Sequence, residues 1–258
     1  MSFCNSRVYF ILLLASSAFF ADATRPQKLL SSTDAAPGEL KYTVSLQYRN
    51  YHQCGGALIS ERHVLTAAHC FVGREEAPYT KGLVVVTGAT NLISGGEHHY
   101  AKYVTVHPEY VQGNSLNRWR HDIAVITLVT PAVKNAAQAP VSLPSSDVST
   151  NVTGIVSGWG QLGRKWDAGY PNVLQKRSVS ILTRTDCNSR NPVLDTQICG
   201  LDGKDTGFCH GDSGGPLVYN DEIVGVVSFG VSCGIGYPDV YTRVWSYRDF
   251  ISEAMSRQ

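Results

Sequence analysis

Short runs of apolar and β-branched residues recur along most of this chain, and clusters of Gly, Pro, Asn and Ser separate them. Tyr42–Tyr48 alternates with the period of a strand that buries one face. Leu83–Thr87, Tyr103–His107, Ile123–Val129 and Gly154–Ser157 continue the series. Leu174–Leu182, Pro216–Tyr219, Glu222–Phe229 and Val240–Val244 complete it. Many short strands between turn residues predict an all-β sandwich or barrel. The period becomes helical only at the C-terminus, where Tyr247, Phe250, Ile251 and Ala254 form an apolar stripe. Ser246 and Asp249 have the spacing of a capping box, which predicts a helix starting there. No repeat of 20–50 residues runs through the chain, so a solenoid or propeller is disfavoured.

The opening residues break this pattern. Arg7 precedes an apolar run from Val8 to Phe20, followed by Ala21-Asp22-Ala23 with small residues at a cleavage-type spacing. The run is too short to span a bilayer and reads as a signal peptide over residues 1–23. A secreted, extracellular protein is expected, and no later stretch approaches spanning length. With 258 residues, 43% of them hydrophobic, the chain is long enough for an ordered core. A net charge of +1 predicts no attachment to nucleic acid or to a membrane surface. Partners must be recognised by a shaped site, and a monomer is expected.

Cys4 falls within the signal peptide. The other six cysteines, Cys54, Cys70, Cys187, Cys199, Cys209 and Cys233, form an even set in an oxidising compartment. Six allow fifteen connectivities, and spacing does not choose among them. No C-x-x-C pair occurs and no histidines stand beside them at ligand spacing, so zinc is not expected. Asn151-Val152-Thr153 is a candidate glycosylation site.

The chemistry is concentrated in Gly211-Asp212-Ser213-Gly214-Gly215-Pro216. Glycine and proline clusters usually make turns, but a turn does not require a serine at its centre. A nucleophilic hydroxyl does need open approach for a carbonyl, and flanking glycines clear it. They also leave backbone N–H groups free to face a developing oxyanion. Serine is a poor nucleophile at neutral pH, so a base is required. Thr66-Ala67-Ala68-His69-Cys70 supplies a histidine whose backbone the adjacent cysteine can pin. In His121-Asp122-Ile123-Ala124-Val125 a carboxylate leads an apolar strand, where burial demands a partner. The imidazolium formed in catalysis would be that partner.

His69, Asp122 and Ser213, in that order, resemble the triad of the chymotrypsin-like serine proteases. The likeness extends from about Leu29 to the C-terminus and includes Cys54-Gly55-Gly56, Ser157-Gly158-Trp159-Gly160, Ser228-Phe229-Gly230 and Pro238-Asp239-Val240-Tyr241. It implies two six-stranded antiparallel β-barrels with the triad in the cleft between them and a C-terminal α-helix. It also implies an oxyanion hole made by the N–H groups of Gly211 and Ser213. Ser228, Phe229 and Gly230 would pair with substrate main chain. The implied disulfides are Cys54–Cys70, Cys187–Cys199 and Cys209–Cys233. A further bridge of the family is missing, its positions being Gly154 and Tyr219. Ala89 stands where the first acidic ligand of a calcium loop would be, so neither metal nor cofactor is expected.

Relatives are made as zymogens and cut before a sequence close to Ile-Val-Gly-Gly, whose new amine pairs with the acid beside the nucleophile, here Asp212. This chain has Leu29-Leu30-Ser31-Ser32 instead, preceded by Lys28, a site for a trypsin-like activating protease. The expectation is a propeptide over residues 24–28 and a catalytic domain over 29–258. The resemblance also implies that Gly207 occupies the base of the specificity pocket, where a trypsin would have aspartate. Asp239 on a pocket wall gives the pocket a resemblance to brachyurin-like and elastase-like branches, and Phe208 would screen that acid or shorten the cavity.

These features imply a digestive or venom-type endopeptidase acting on protein or peptide substrates through an acyl-enzyme. Its P1 preference should be broad or chymotrypsin/elastase-like, and protein inhibitors are possible partners. The alternative is a non-catalytic homologue that acts as a binding protein. An α/β-hydrolase esterase is disfavoured, because its triad runs Ser, Asp, His.

Overall fold

The computed structural model describes Met1 and residues 32–113, 118–163, 169–231 and 233–257. The rest of the expected signal peptide, the propeptide with Lys28, and Leu29 lie outside the described residues. A two-residue strand, β1 (Thr33–Asp34), leads into β2 (Thr43–Tyr48), β3 (Tyr51–Ser60), β4 (His63–Thr66), β5 (Leu83–Thr87), β6 (Glu97–Val106) and β7 (Ala124–Leu128). Strands β2 to β7 close into a barrel in the order β2-β3-β4-β7-β6-β5. The chain then forms β8 (Val152–Gly158), β9 (Gln175–Ile181), α1 (Arg184–Arg190), β10 (Gln197–Gly200), β11 (Pro216–Tyr219), β12 (Glu222–Phe229) and β13 (Asp239–Arg243). These six strands run β9-β10-β13-β12-β11-β8, and pairing of β8 with β9 closes the second barrel. All pairings between named strands are antiparallel, and β1 adds to β9 through Thr33–Lys176. The expected architecture is the one observed.

Local chemistry explains the tight connections. Arg49 and Asn50, joining β2 to β3, both have positive φ, as do Asn220 and Asp221 between β11 and β12. Two-residue loops of that hand match the twist of the strands they join. Each barrel fills with inward side chains: Leu46, Leu58, Leu65 and Ile126 are buried in the first, and Ile181, Leu217, Val227 and Tyr241 in the second. Each such aliphatic side chain contributes about 1.5–3 kcal/mol on burial.

Four strands, β1, β3, β4 and β10, and one helix, α1, were not expected from the pattern. Strand β3 contains Gly55-Gly56, which reads as a turn, but both glycines serve close packing. A Cβ on Gly56 would lie 2.9 Å from Val64 Cγ1, and one on Gly55 would lie 3.0 Å from Gly215 Cα. Strands β4 and β10 are only four residues long. Helix α1 is capped by Thr183, whose Oγ1 accepts the amide of Asp186 at 3.1 Å.

The C-terminal helix, α2 (Arg248–Ser256), is present but does not begin as expected. Ser246 lies inside a 3-10 turn, Val244–Tyr247, that runs into α2, so the residue preceding the helix is Tyr247 and no side chain caps it. The apolar stripe does form. Tyr247, Ile251 and Ala254 are buried against the core of the first barrel, so the last segment of the chain ties the two barrels together.

All three disulfides have the implied connectivity: Cys54–Cys70, Cys187–Cys199 and Cys209–Cys233. Where the further bridge is missing, the nearest side-chain atom to a Cβ on Gly154 is Leu217 Cδ1, at 2.8 Å, so Leu217 crowds that space. Among the described residues no helix is long and apolar enough to cross a membrane.

Candidate active site

His69 is carried by a 3-10 turn, Ala68–Cys70, immediately after β4, and the Cys54–Cys70 bridge fastens that turn to β3. Its ring is almost wholly buried. Asp122 immediately precedes Ile123 and β7 and is fully buried. One carboxylate oxygen accepts the His69 amide at 2.9 Å; the other lies 2.7 Å from His69 Nδ1. Ser228 donates its hydroxyl to that second oxygen at 2.6 Å, and Thr242 donates to the Asp122 carbonyl at 2.7 Å. A proton on Nδ1 is thereby held against the carboxylate, which leaves Nε2 as the acceptor. Trp119 meets the imidazole edge-on, with ring centroids 5.4 Å apart.

Ser213 lies on the turn between Cys209 and β11. Within that turn the amides of Asp212, Gly214 and Gly215 donate to the carbonyls of Cys209, Val227 and Asp212. Gly211 has φ +99 and Gly214 has φ +77, which L side chains rarely adopt. A Cβ on Gly214 would also lie 2.2 Å from Thr66 Oγ1, because here the second barrel touches the first. The Gly55 amide crosses the same junction to the Ser213 carbonyl at 2.7 Å. His52 Nε2 lies 2.9 Å from the Gly211 carbonyl and its Nδ1 lies 2.8 Å from Ser45 Oγ. Burial pushes the His52 pKa down to about 4, so the ring is neutral at ordinary pH. With Nε2 as donor to the carbonyl, that ring holds the Gly211–Asp212 peptide in place.

A cavity of about 370 Å³ opens between the barrels, with His69, Ser213, Ser228, Phe229, Gly230 and Phe208 on its walls. Gly207 and Asp239 are not among the residues that line it. Asp239 is buried behind Phe208, with Oδ2 accepting the Phe208 amide at 2.8 Å. The Phe208 ring packs edge-on against Tyr241 at 5.6 Å. Burial pushes the Asp239 pKa up to about 7, against the opposing pull of the Phe208 amide and of Arg177.

Asp212 points the other way, into a narrow cavity whose walls include Ser32, Gly158, Gly160, Arg177 and Gly207. Its carboxylate accepts the amides of Gly160 at 2.8 Å and Cys209 at 2.9 Å. Part of the residue is accessible, through this cavity, yet desolvation of the carboxyl is the dominant effect and raises its pKa.

The family model described as Trypsin matches residues 30–251. This chain belongs to the trypsin family. It is similar to Trypsin-4 of Rattus norvegicus, 40% identical over 227 residues that cover 83% of this chain and 85% of the relative. It is also similar to Trypsin-3 of Salmo salar, at 37% over 89% and 93% of the two chains. Chymotrypsin-2 of Vespa crabro is 36% identical over 87% and 99%. The protein is a serine endopeptidase, and its substrates are proteins or peptides.

Several residues of this trypsin-family site escape sequence reasoning. Trp119 stands three residues before Asp122 in a polar loop. His52 is one of eight histidines, with no motif around it. Arg177 alternates with polar neighbours in β9 as a surface residue would, yet its side chain is only 8% exposed. Ser228 is expected at the site for its main chain, whereas its hydroxyl bonds Asp122.

Among the described residues two groups bring potential metal ligands together. Cys54 and Cys70 are bonded to each other, which removes them as ligands beside His69. His107, Glu109 and His121 place ligand atoms within 4.8 Å. The two imidazoles stack with planes 10° apart, so their in-plane lone pairs run parallel and do not converge on one ion.

Proposed function

We propose that this protein is a secreted endopeptidase made as a zymogen, with Ser213 as nucleophile, His69 as general base and acid, and Asp122 as the orienting carboxylate. The observation that carries this reading is that His69, held from behind by the buried Asp122, lines the same cavity as Ser213. In acylation, Ser213 Oγ attacks the scissile carbonyl carbon while His69 Nε2 takes the hydroxyl proton. Asp122 stabilises the resulting imidazolium. The oxyanion is received by the N–H groups of Gly211 and Ser213, a contribution of about 3–4 kcal/mol. His69 then returns the proton to the leaving amine, and water releases the acyl group by the same steps in reverse. Substrate main chain is held along Ser228–Gly230, where β12 ends at the cavity wall.

Activation requires cleavage after Lys28 by a trypsin-like protease. Ser32 lines the cavity that holds Asp212, and Leu29 is three residues upstream, within about 10 Å along the chain. The new amine would supply the cation that a desolvated carboxylate lacks. Three disulfides support secretion into an oxidising compartment after removal of residues 1–23. Asn151 is exposed, at a turn with φ +60, and is accessible to a glycan. Protein inhibitors that enter the same cleft are further partners.

For specificity, Phe208 on the cavity wall supports a broad or chymotrypsin/elastase-like P1 preference, since it offers apolar surface in front of Asp239. An intact triad disfavours the non-catalytic homologue. The test is to treat the secreted protein with trypsin, sequence the new N-terminus and profile cleavage on a peptide library. A new N-terminus at Leu29 and preferred uncharged P1 residues are expected. A cleaved protein that hydrolyses nothing would instead establish the homologue.

A further inference from the structure

Arg177 lies behind the specificity pocket. It sits in β9 opposite Val156 of β8, and its side chain is 8% exposed. Its Nη2 is 3.7 Å from Asp239 Oδ2, while Nε has no hydrogen-bond partner among the described residues. Burying a guanidinium is costly unless a carboxylate accompanies it, and Asp239 is within ion-pair range of this one. Two carboxylates feel it: desolvation raises the pKa of Asp239 and of Asp212, and Arg177 opposes the rise at both.

Asp239 stands between this cation and the substrate cavity. Its Oδ2 faces Arg177 and the Phe208 amide. Its Oδ1 faces Gly230, where a Cβ would lie only 3.1 Å away. Gly230 is itself on the cavity wall, and the Phe208 ring comes within 3.5 Å of the same Cβ position. One oxygen of the acid is thus a single residue away from the space a P1 side chain would fill.

We propose that Arg177 is a specificity-determining residue, which neutralises Asp239 from behind the pocket so that the acid presents no net negative charge to a cationic P1 side chain. This rests on the proposed preference for uncharged P1 residues and gives it a second cause. Phe208 obstructs the route to the acid, and Arg177 cancels its charge. A salt bridge at the back of the pocket does not depend on the ring at the front, so the two can be separated by mutation.

The experiment compares kcat/KM on two peptides that differ only at P1, arginine against leucine, for the trypsin-activated wild type, Phe208→Ala and Phe208→Ala/Arg177→Met. The ratio is read within one preparation and does not depend on the fraction folded. Assayed at about pH 8, above the Asp239 pKa of about 7, Phe208→Ala alone should change the Arg:Leu ratio by less than about 3-fold. Adding Arg177→Met leaves a P1 arginine as the replacement cation that keeps Asp239 ionised, and should raise the ratio by about 10-fold or more. A second arm removes the acid and keeps the cation. Phe208→Ala/Asp239→Asn removes the carboxylate that Arg177 pairs with at the pocket, leaving Asp212 on the far side, and should raise the Glu:Leu ratio by about 10-fold. A full rise in Phe208→Ala alone, no further rise with Arg177→Met, or an unchanged Glu:Leu ratio in the second arm overturns the role of Arg177. A wild-type profile confined to arginine and lysine overturns the P1 preference as well. An apolar wild-type profile with no effect of Arg177→Met overturns the Arg177 role alone.

Discussion

Ser228 donates its hydroxyl to the same Asp122 oxygen that faces His69 Nδ1, at 2.6 Å and 2.7 Å respectively. The second barrel therefore holds the carboxylate that aligns a histidine of the first. Removing one donor from a buried carboxylate costs about 1.5–3 kcal/mol. Ser228→Ala should lower kcat by about 10-fold or more with little change in KM, because the loss falls on imidazole alignment and not on substrate contact. Steady-state kinetics on one peptide measure it, and unchanged kcat would mean that Asp122 needs no such support.

Gly214 marks the point where the barrels touch. Its φ of +77 alone would cost an alanine roughly 1–2 kcal/mol, and the added Cβ would overlap Thr66 Oγ1. Gly214→Ala should destabilise the fold by at least about 2 kcal/mol and abolish turnover by displacing Ser213. Chemical denaturation and peptide hydrolysis together measure both losses; wild-type stability would contradict the close approach.

His52 makes stability fall in acid. Its folded pKa of about 4 lies below the ordinary 6.5, so between those values the unfolded chain binds the proton that the folded protein refuses. This contribution is fully present above about pH 6.5 and is lost as pH falls toward about 4, a change on the order of 3 kcal/mol. Comparing the pH dependence of unfolding for the wild type and His52→Gln isolates it. The difference between the two should shrink across that window; parallel curves would show that His52 titrates normally.

Much of this could be read in advance, for reasons that differ from residue to residue. Ser213, His69 and Asp122 each sit in a motif whose neighbours suit the proposed chemistry or the packing, and the fold sets His69 against Asp122 and on one cavity with Ser213. The barrels follow from short runs of strand-forming residues between turns, alternating in β2 and almost continuously apolar in β5, β11 and β12. Strand β3 does not, because Gly55 and Gly56 leave no side-chain period and are required by atoms far away in sequence. Ser246 has the spacing of a cap, but the preceding turn is already helical and removes the vacancy it would fill. Arg177 is hidden most completely: a charged residue among polar neighbours reads as surface, and only the fold places Asp239 and Asp212 around it.

Zymogen activation should appear as a stability difference. Burial raises the Asp212 pKa, so in the uncleaved protein the folded state holds a proton that the unfolded chain releases. Stability is then lost as pH rises through that raised pKa. An inserted Leu29 amine reverses this penalty while it remains protonated. The cleaved protein should melt above the uncleaved one at pH 7, and the gap should close as pH rises beyond the amine's titration, ordinarily about 8 and higher once paired. Asp212→Asn should erase the gap, and identical melting of both forms would refute insertion.

The central claim is that Ser213 is the nucleophile, and the most direct measurement is peptide hydrolysis by the trypsin-activated Ser213→Ala protein alongside the wild type. The exchange removes one hydroxyl from a half-buried residue and leaves the disulfides and both barrel cores untouched. Melting temperature should therefore stay near the wild-type value while kcat falls by up to about a million-fold. Wild-type turnover in a folded Ser213→Ala protein would contradict the account.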